Sequence, residues 1–227
     1  MVSLLLNHGE DKDNRSWKKA YAWIKDAIDD GRLEIGASLP ENGLAKEIGI
    51  SRTPIREALR RLEEDNYVRI TPLKGAVVAD ISVNDVREIY EIRKLLEPFA
   101  GLSTAHLMPD TEIDKLEQKW QYLEKKVRSG RVPDLSEISG LDLETHLTML
   151  AYSNNKHLTA IISSFHSQIQ RLQMLSAQYL ANVDETIREH LELMECLRER
   201  NPRKFRLMLY DHIVSSEANI MRDCFLK

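Results

Sequence analysis

The chain has 227 residues, a formal net charge of −4, 42% hydrophobic and 30% charged residues. That composition excludes a chain disordered throughout and leaves enough apolar residues for one large or two small cores. Nine Gly and seven Pro are too few for the many turns of a β-sandwich. The two cysteines, Cys196 and Cys224, imply a reducing compartment rather than a disulfide framework. No apolar run approaches the ~20 residues that span a bilayer. Val2 to Leu6 is too short for a signal-peptide core. The expected location is therefore the cytoplasm, with no membrane partner.

Residues 1–15 read as a loose polar N-terminus. From Ser16, the positions Trp17, Ala20, Tyr21, Ile24 and Ile28 follow helical spacing, and Gly31 is placed to end that helix. Leu39-Pro40 opens a short helix carrying Leu44, Ala45 and Ile48, closed by Gly49. Ser51 or Thr53 can cap a third helix, with Pro54 in its first turn and Ile55, Ala58, Leu59 and Leu62 on its apolar face. The period then changes. Tyr67 to Thr71 and Ala76 to Ala79 are β-prone and flank Pro72-Leu73-Lys74-Gly75, a hairpin pattern. Three short helices and a hairpin over residues 16–80 predict a winged helix-turn-helix.

Residues 81–227 read as an all-α antiparallel bundle. Ser82 and Asp85 predict the start of a long helix through Val86, Ile89, Tyr90, Arg93, Leu96 and Ala100, bent at Pro98. Further helices are expected at about 110–129, 135–152, 155–180, 183–199 and 203–223.

Residues 1–80 carry 13 Lys/Arg against 14 Asp/Glu, but Ser51 to Arg61 carries four Arg against one Glu. Arg52, Arg56 and Arg60 are spaced i, i+4, i+8, so they form a stripe opposite the Ile55, Leu59, Leu62 face. A helix held by its apolar face and projecting arginines suits the major groove, where Arg reads guanine or grips phosphate. A solvated charged face is the plainer alternative.

The block Leu39-Pro40-Glu41, Leu44-Ala45, Ile48-Gly49, Ser51 to Leu62 and Lys74-Gly75 resembles the N-terminal domain of GntR-family transcription regulators. The resemblance implies that Ser51, Arg52, Thr53 and Arg56 contact operator DNA, with Lys74 and Gly75 at the wing tip near the minor groove. It departs at Asn42, where relatives often carry a charged residue, and at Asn66, where glycine is usual before the wing. Asn tolerates positive φ, so the second departure need not change the turn.

Asp142 and His146 are four apart and share a helix face. His190 and His212 lie about equally far from the break at Asn201-Pro202, so a fold-back there sets them at one height. One carboxylate and three imidazoles suit Zn²⁺, Ni²⁺, Mn²⁺ or Fe²⁺, whereas chance spacing of seven histidines is the bland alternative. Glu91 to Pro98, Asp142 and His146, Glu189-His190 and Asp211-His212 resemble the FCD ligand-binding domain of the FadR subfamily. That likeness implies a metal held by Asp142, His146, His190 and His212, with zinc the expected ion on purification, and a small organic acid as effector. Arg93, and more weakly Arg171, are candidates to grip the effector carboxylate, a salt bridge from Arg93 to Glu97 being the structural alternative.

The resulting expectation is a regulator that binds a palindromic operator as a homodimer and answers to a small carboxylate. The alternatives are a sensor of the metal itself and a metal-dependent enzyme, which the missing nucleophile motif disfavours.

Overall fold

The computed structural model describes residues 7–29, 31–72, 75–131, 133–165, 168–172 and 183–225. Two compact units divide between Asp80 and Ile81. The first comprises helices α1 (Asn7–Asp29), α2 (Glu41–Ile48) and α3 (Arg52–Glu64) and strands β1 (Val68–Thr71) and β2 (Gly75–Val78).

Its core is the set of faces that the sequence periods define. Ala20, Ile24 and Ile28 of α1 meet Leu44 and Ile48 of α2 and Ile55, Ala58, Leu59 and Leu62 of α3, with Tyr67, Val68, Ala76 and Val78 from the wing. Gly49 closes α2 in the left-handed conformation, at φ 76°, and its N–H returns to the Ala45 carbonyl at 3.0 Å. Ser51 is the N-cap residue of α3, although its side chain makes no capping hydrogen bond. Asn66 takes φ 60°, the backbone that glycine would otherwise supply. The wing strands pair antiparallel from Val68↔Val78 to Thr71↔Gly75. The segment before α2 adds a bridge that no strand pattern announced, between Ser38 and Val77.

One expectation for this unit is corrected: α1 begins at Asn7, not at Ser16. Residues 7–15 are almost wholly polar. A stretch without apolar residues has no hydrophobic period to read.

The second unit is helical throughout its described residues. Helices α4 (Val83–Leu107), α5 (Asp110–Arg128), α6 (Leu135–Ala151) and α7 (Lys156–Ser164) precede two long helices, here α8 (Val183–Arg198) and α9 (Pro202–Phe225). The Ser82/Asp85 pair forms a complete capping box at the start of α4. The helix then runs without interruption through Pro98. The helix expected over 155–180 ends at Ser164, resumes over 168–172, and beyond that falls outside the described residues. Arg200 turns the chain between α8 and α9 at φ 54°, and the Asn201 side chain accepts the Lys204 N–H at 3.1 Å to start α9. α4 and α9 pack closely because position 101 is glycine: a Cβ there would lie 3.2 Å from the Phe205 ring.

Candidate metal centre and nucleic-acid interface

Three helices of the second unit converge on one buried point. α6 supplies Asp142 and His146, α8 supplies His190, and α9 supplies His212. One ligating atom from each lies within 4.8 Å of all the others. His146 Nε2 is 3.2 Å from His212 Nε2, and His190 Nε2 is 3.1 Å from Asp142 Oδ1. The fold-back at Asn201-Pro202 does bring His190 and His212 to one height, with ring centroids 4.6 Å apart.

A ring of outer partners orients each imidazole. His146 Nδ1 faces Glu97 Oε2 at 2.5 Å, His212 Nδ1 faces Glu189 Oε2 at 2.7 Å, and His190 Nδ1 faces the Thr186 carbonyl at 2.8 Å. All three partners are acceptors, so all three Nδ1 atoms donate. In the neutral form, the one that binds metal, each ring then carries its lone pair on Nε2, and the lone pairs point at one another and at a carboxylate. Such a set repels itself unless a cation sits among it, which is the arrangement of a metal site with its supporting hydrogen bonds. Among the described residues the buried His190 Nε2 has no hydrogen-bond partner. The residues present therefore fit a divalent metal.

Electrostatics agree. Burial by itself would raise the Asp142 carboxyl, but the surrounding imidazoles, His190 foremost, hold it well below the usual carboxylate range. His212 is pushed down to about 4, by burial first and His190 second. Near neutral pH the pair offers a carboxylate and a neutral imidazole, the forms that bind metal. Trp120 stacks on His190 with centroids 4.0 Å apart, and its indole N–H donates to Thr145 Oγ1 at 3.0 Å.

Arg93 is 2% exposed. Its Nε donates to Glu97 Oε1 at 2.6 Å, the salt bridge that was the structural alternative. Its Nη1 is buried and has no hydrogen-bond partner among the described residues. Burial would raise Glu97, but Arg93 and then His146 bring it down to about 2. Arg171 is also buried, at 5% exposure, within the helical residues 168–172.

In the first unit Ser51, Arg52, Thr53, Arg56, Arg60 and Gly75 are all exposed, and Lys74 lies outside the described residues. The arginine stripe exists but is not uniform. Arg52 and Arg56 both pair with Glu41 on α2, whereas Arg60 is bound by Glu57 and Glu64 of its own helix. Sequence reasoning missed Glu41, Glu97, Glu189, Thr186 and Trp120 as members of these sites. Glu97 and Glu189 stand in the quoted FCD-like motifs beside recognised residues, which was the available signal.

The fold and the two sites define a two-domain DNA-binding transcription regulator. The model of the bacterial regulatory proteins, gntR family, matches residues 17–78, and that of the FCD domain matches residues 88–215. The chain belongs to the GntR family and carries an FCD domain; the family and the curated relatives are transcriptional regulators, not enzymes. It is 29% identical over 191 residues, 84% of each chain, to the uncharacterized HTH-type transcriptional regulator YdhC of Bacillus subtilis. It is 30% identical over 146 residues to the gluconate operon transcriptional repressor of Bacillus licheniformis, covering 64% of this chain and 58% of that protein. The solved structure of E. coli McbR/YncC shares the fold, with TM-score 0.73 at 23% identity over 91% of this chain and 97% of that one. Among the described residues no helix is long and apolar enough to cross a membrane.

Proposed function

We propose that this regulator reads a palindromic operator as a homodimer and that a small carboxylate, held at the Asp142, His146, His190 and His212 centre, sets its affinity for that operator. One observation carries the reading: the unpaired, buried Nη1 of Arg93, whose Nε is tied through Glu97 to the metal-facing His146. An ion alone leaves that donor unsatisfied, which favours an organic anion over the metal itself as the signal. A bound divalent ion, zinc on purification or nickel, manganese or iron, supplies positive charge and open positions for a carboxylate oxygen. Arg93 takes the other end of the anion, with Arg171 the second candidate. The gluconate operon repressor among the relatives is named for a sugar-acid operon, the ligand class this chemistry recognises.

On the DNA side Ser51, Arg52, Thr53 and Arg56 are the reading residues, Arg60 and Lys74 serve phosphate, and Gly75 lets the wing approach the backbone. Only residues 79–82 separate β2 from α4. α4 carries Arg93 and Glu97, so a shift of α4 on effector binding has a short path to the wing. The effector must favour one dimer geometry over another, since equal affinity shifts nothing.

The chelator experiment tests this reading. Titration of operator duplex with a panel of small carboxylates is expected to change DNA affinity for at least one acid, and prior treatment with a chelator is expected to abolish the change. A response to metal without any acid would make the ion the signal.

Dimerisation has a matching surface. Leu95 (72% exposed) and Phe99 (60%) on α4 face outward, as do Leu207 (62%) and Tyr210 (43%) on α9. On each helix the two apolar positions lie one turn apart and so share a face, which makes them the candidates for a dimer contact. Light scattering is expected to give a dimer for the wild type and a monomer for Phe99→Lys/Leu207→Lys. A variant that stays dimeric at micromolar concentration would move the interface elsewhere.

A further inference from the structure

Glu41 is the first residue of α2, and Pro40 before it supplies no side-chain cap. An acid in a first turn ordinarily serves its own helix, whose free N–H groups and dipole attract it. The Glu41 carboxylate instead reaches across to α3. Arg56 Nε lies 2.7 Å from its Oε1 and 2.8 Å from its Oε2. Arg52 donates to Oε2 from Nε at 3.3 Å and from Nη2 at 3.1 Å. The pairs are exposed, with 55% of the Arg52 side chain and 62% of the Arg56 side chain open to solvent. Ion pairs of that kind contribute little to stability. What they fix is orientation.

A guanidinium can approach the O6 and N7 atoms of guanine by its Nε edge or by its Nη1/Nη2 end. With Nε occupied by Glu41, Arg56 has only the end to offer, and among the described residues neither of its Nη groups has a partner. Arg52 keeps its Nη1 in the same way. Arg60 is the internal contrast: Nε and Nη2 are taken by Glu57 and Nη1 by Glu64, so no edge is left over.

We propose that Glu41 is a positioning residue that determines operator specificity, by fixing which edge of Arg56 and Arg52 meets the bases. The proposal rests on the reading of those two arginines as base contacts. It has a second consequence. On non-specific DNA, an arginine that swings away to a phosphate leaves the Glu41 carboxylate uncompensated beside a line of negative charge. At the right sequence the arginines bind bases without releasing it. Glu41 therefore penalises wrong DNA more than right DNA, and discrimination is the difference.

The experiment uses the full chain and two duplexes of equal length and composition. One is selected by the wild-type protein from a random-sequence library, and the other is its shuffled version. Affinity for each is measured by fluorescence anisotropy at two salt concentrations, with thermal melts to establish that each variant folds. Glu41→Gln is expected to bind the shuffled duplex more tightly than wild type does and with a steeper salt dependence. Its selected-to-shuffled affinity ratio is expected to fall about tenfold or more, the worth of one well-placed Arg–guanine pair. Glu41→Asp keeps the charge on a side chain one methylene shorter, which does not span both arginines. Its ratio is also expected to fall, with affinity for the shuffled duplex near wild type. An unchanged or higher ratio in Glu41→Gln overturns the proposal. A wild-type ratio in Glu41→Asp assigns the effect to charge alone and overturns the orienting role. Arg56→Ala is measured alongside: a ratio equal to wild type there removes Arg56 as a base contact, an outcome separate from any result at Glu41.

Discussion

His212→Ala and His190→Ala are expected to lose bound metal after dialysis while still binding operator DNA in the effector-free state. Both side chains are buried, His190 completely, and both present Nε2 to the centre while Nδ1 is committed to an outer acceptor. Loss of an outer partner alone typically costs ~10–100-fold in metal affinity, so loss of a ligand costs at least that. Elemental analysis of the dialysed protein measures it directly. Stability provides an independent measure. A metal that binds only the folded state stabilises by ~2.7 kcal/mol at a hundred times its Kd. Added zinc is therefore expected to raise the melting temperature of the helical unit in the wild type and not in the variants. Trp120, stacked on His190 at 4.0 Å, makes indole fluorescence a third readout. His212→Ala leaves that stack in place and is the cleaner of the two variants. Stoichiometric metal in His212→Ala would reject the ligand set. Loss of metal with a wild-type response to the carboxylate would make the metal structural only.

The parts of these sites that the sequence reveals are those that obey a local rule. Asp142 and His146 share a helix face through their spacing of four, and His190 and His212 meet because the Asn201-Pro202 break divides their separation evenly. Ile55, Leu59 and Leu62 mark the buried side of α3 and thereby the exposed side that holds the arginines. The outer partners obey no such rule. Glu97 lies 49 residues from the His146 ring it orients, and Glu41 lies 15 residues from Arg56 across a helix boundary. A carboxylate that meets its partner only through tertiary packing looks, in the sequence, like any of the 36 acidic residues. The polar start of α1 was unreadable for a related reason. Of residues 7–15 only Glu10, Lys12 and Arg15 are good helix formers, so neither an apolar stripe nor propensity announces that stretch. The pairing of Arg93 illustrates the opposite limit. Its spacing of four from Glu97 made the salt bridge foreseeable, but only the packing around it leaves one guanidinium nitrogen buried and unpaired.

On the proposed reading that nitrogen binds the effector while Nε serves the ion pair, two roles that substitution can separate. Arg93→Met is expected to destabilise the helical unit by about 3–5 kcal/mol, the usual cost of removing one partner of a buried ion pair. For a domain of this size the corresponding drop in melting temperature is roughly 10 °C. The cost arises at Glu97, which is 2% exposed and, among the described residues, keeps only His146 as a side-chain partner once the guanidinium is gone. Arg93→Met/Glu97→Gln removes both charges, and a Gln carbonyl still accepts from His146 Nδ1. The double variant is therefore expected to recover most of the lost stability in urea unfolding, because a buried pair replaced as a whole is often neutral. Effector response is expected to behave differently. Neither variant has the Nη1 donor, so both are expected to bind operator DNA and fail to answer the carboxylate, whatever their stability. A double variant that regains stability and also answers the carboxylate with wild-type affinity would show that Arg93 is a structural ion pair and that the anion is gripped elsewhere, with Arg171 the next residue to replace.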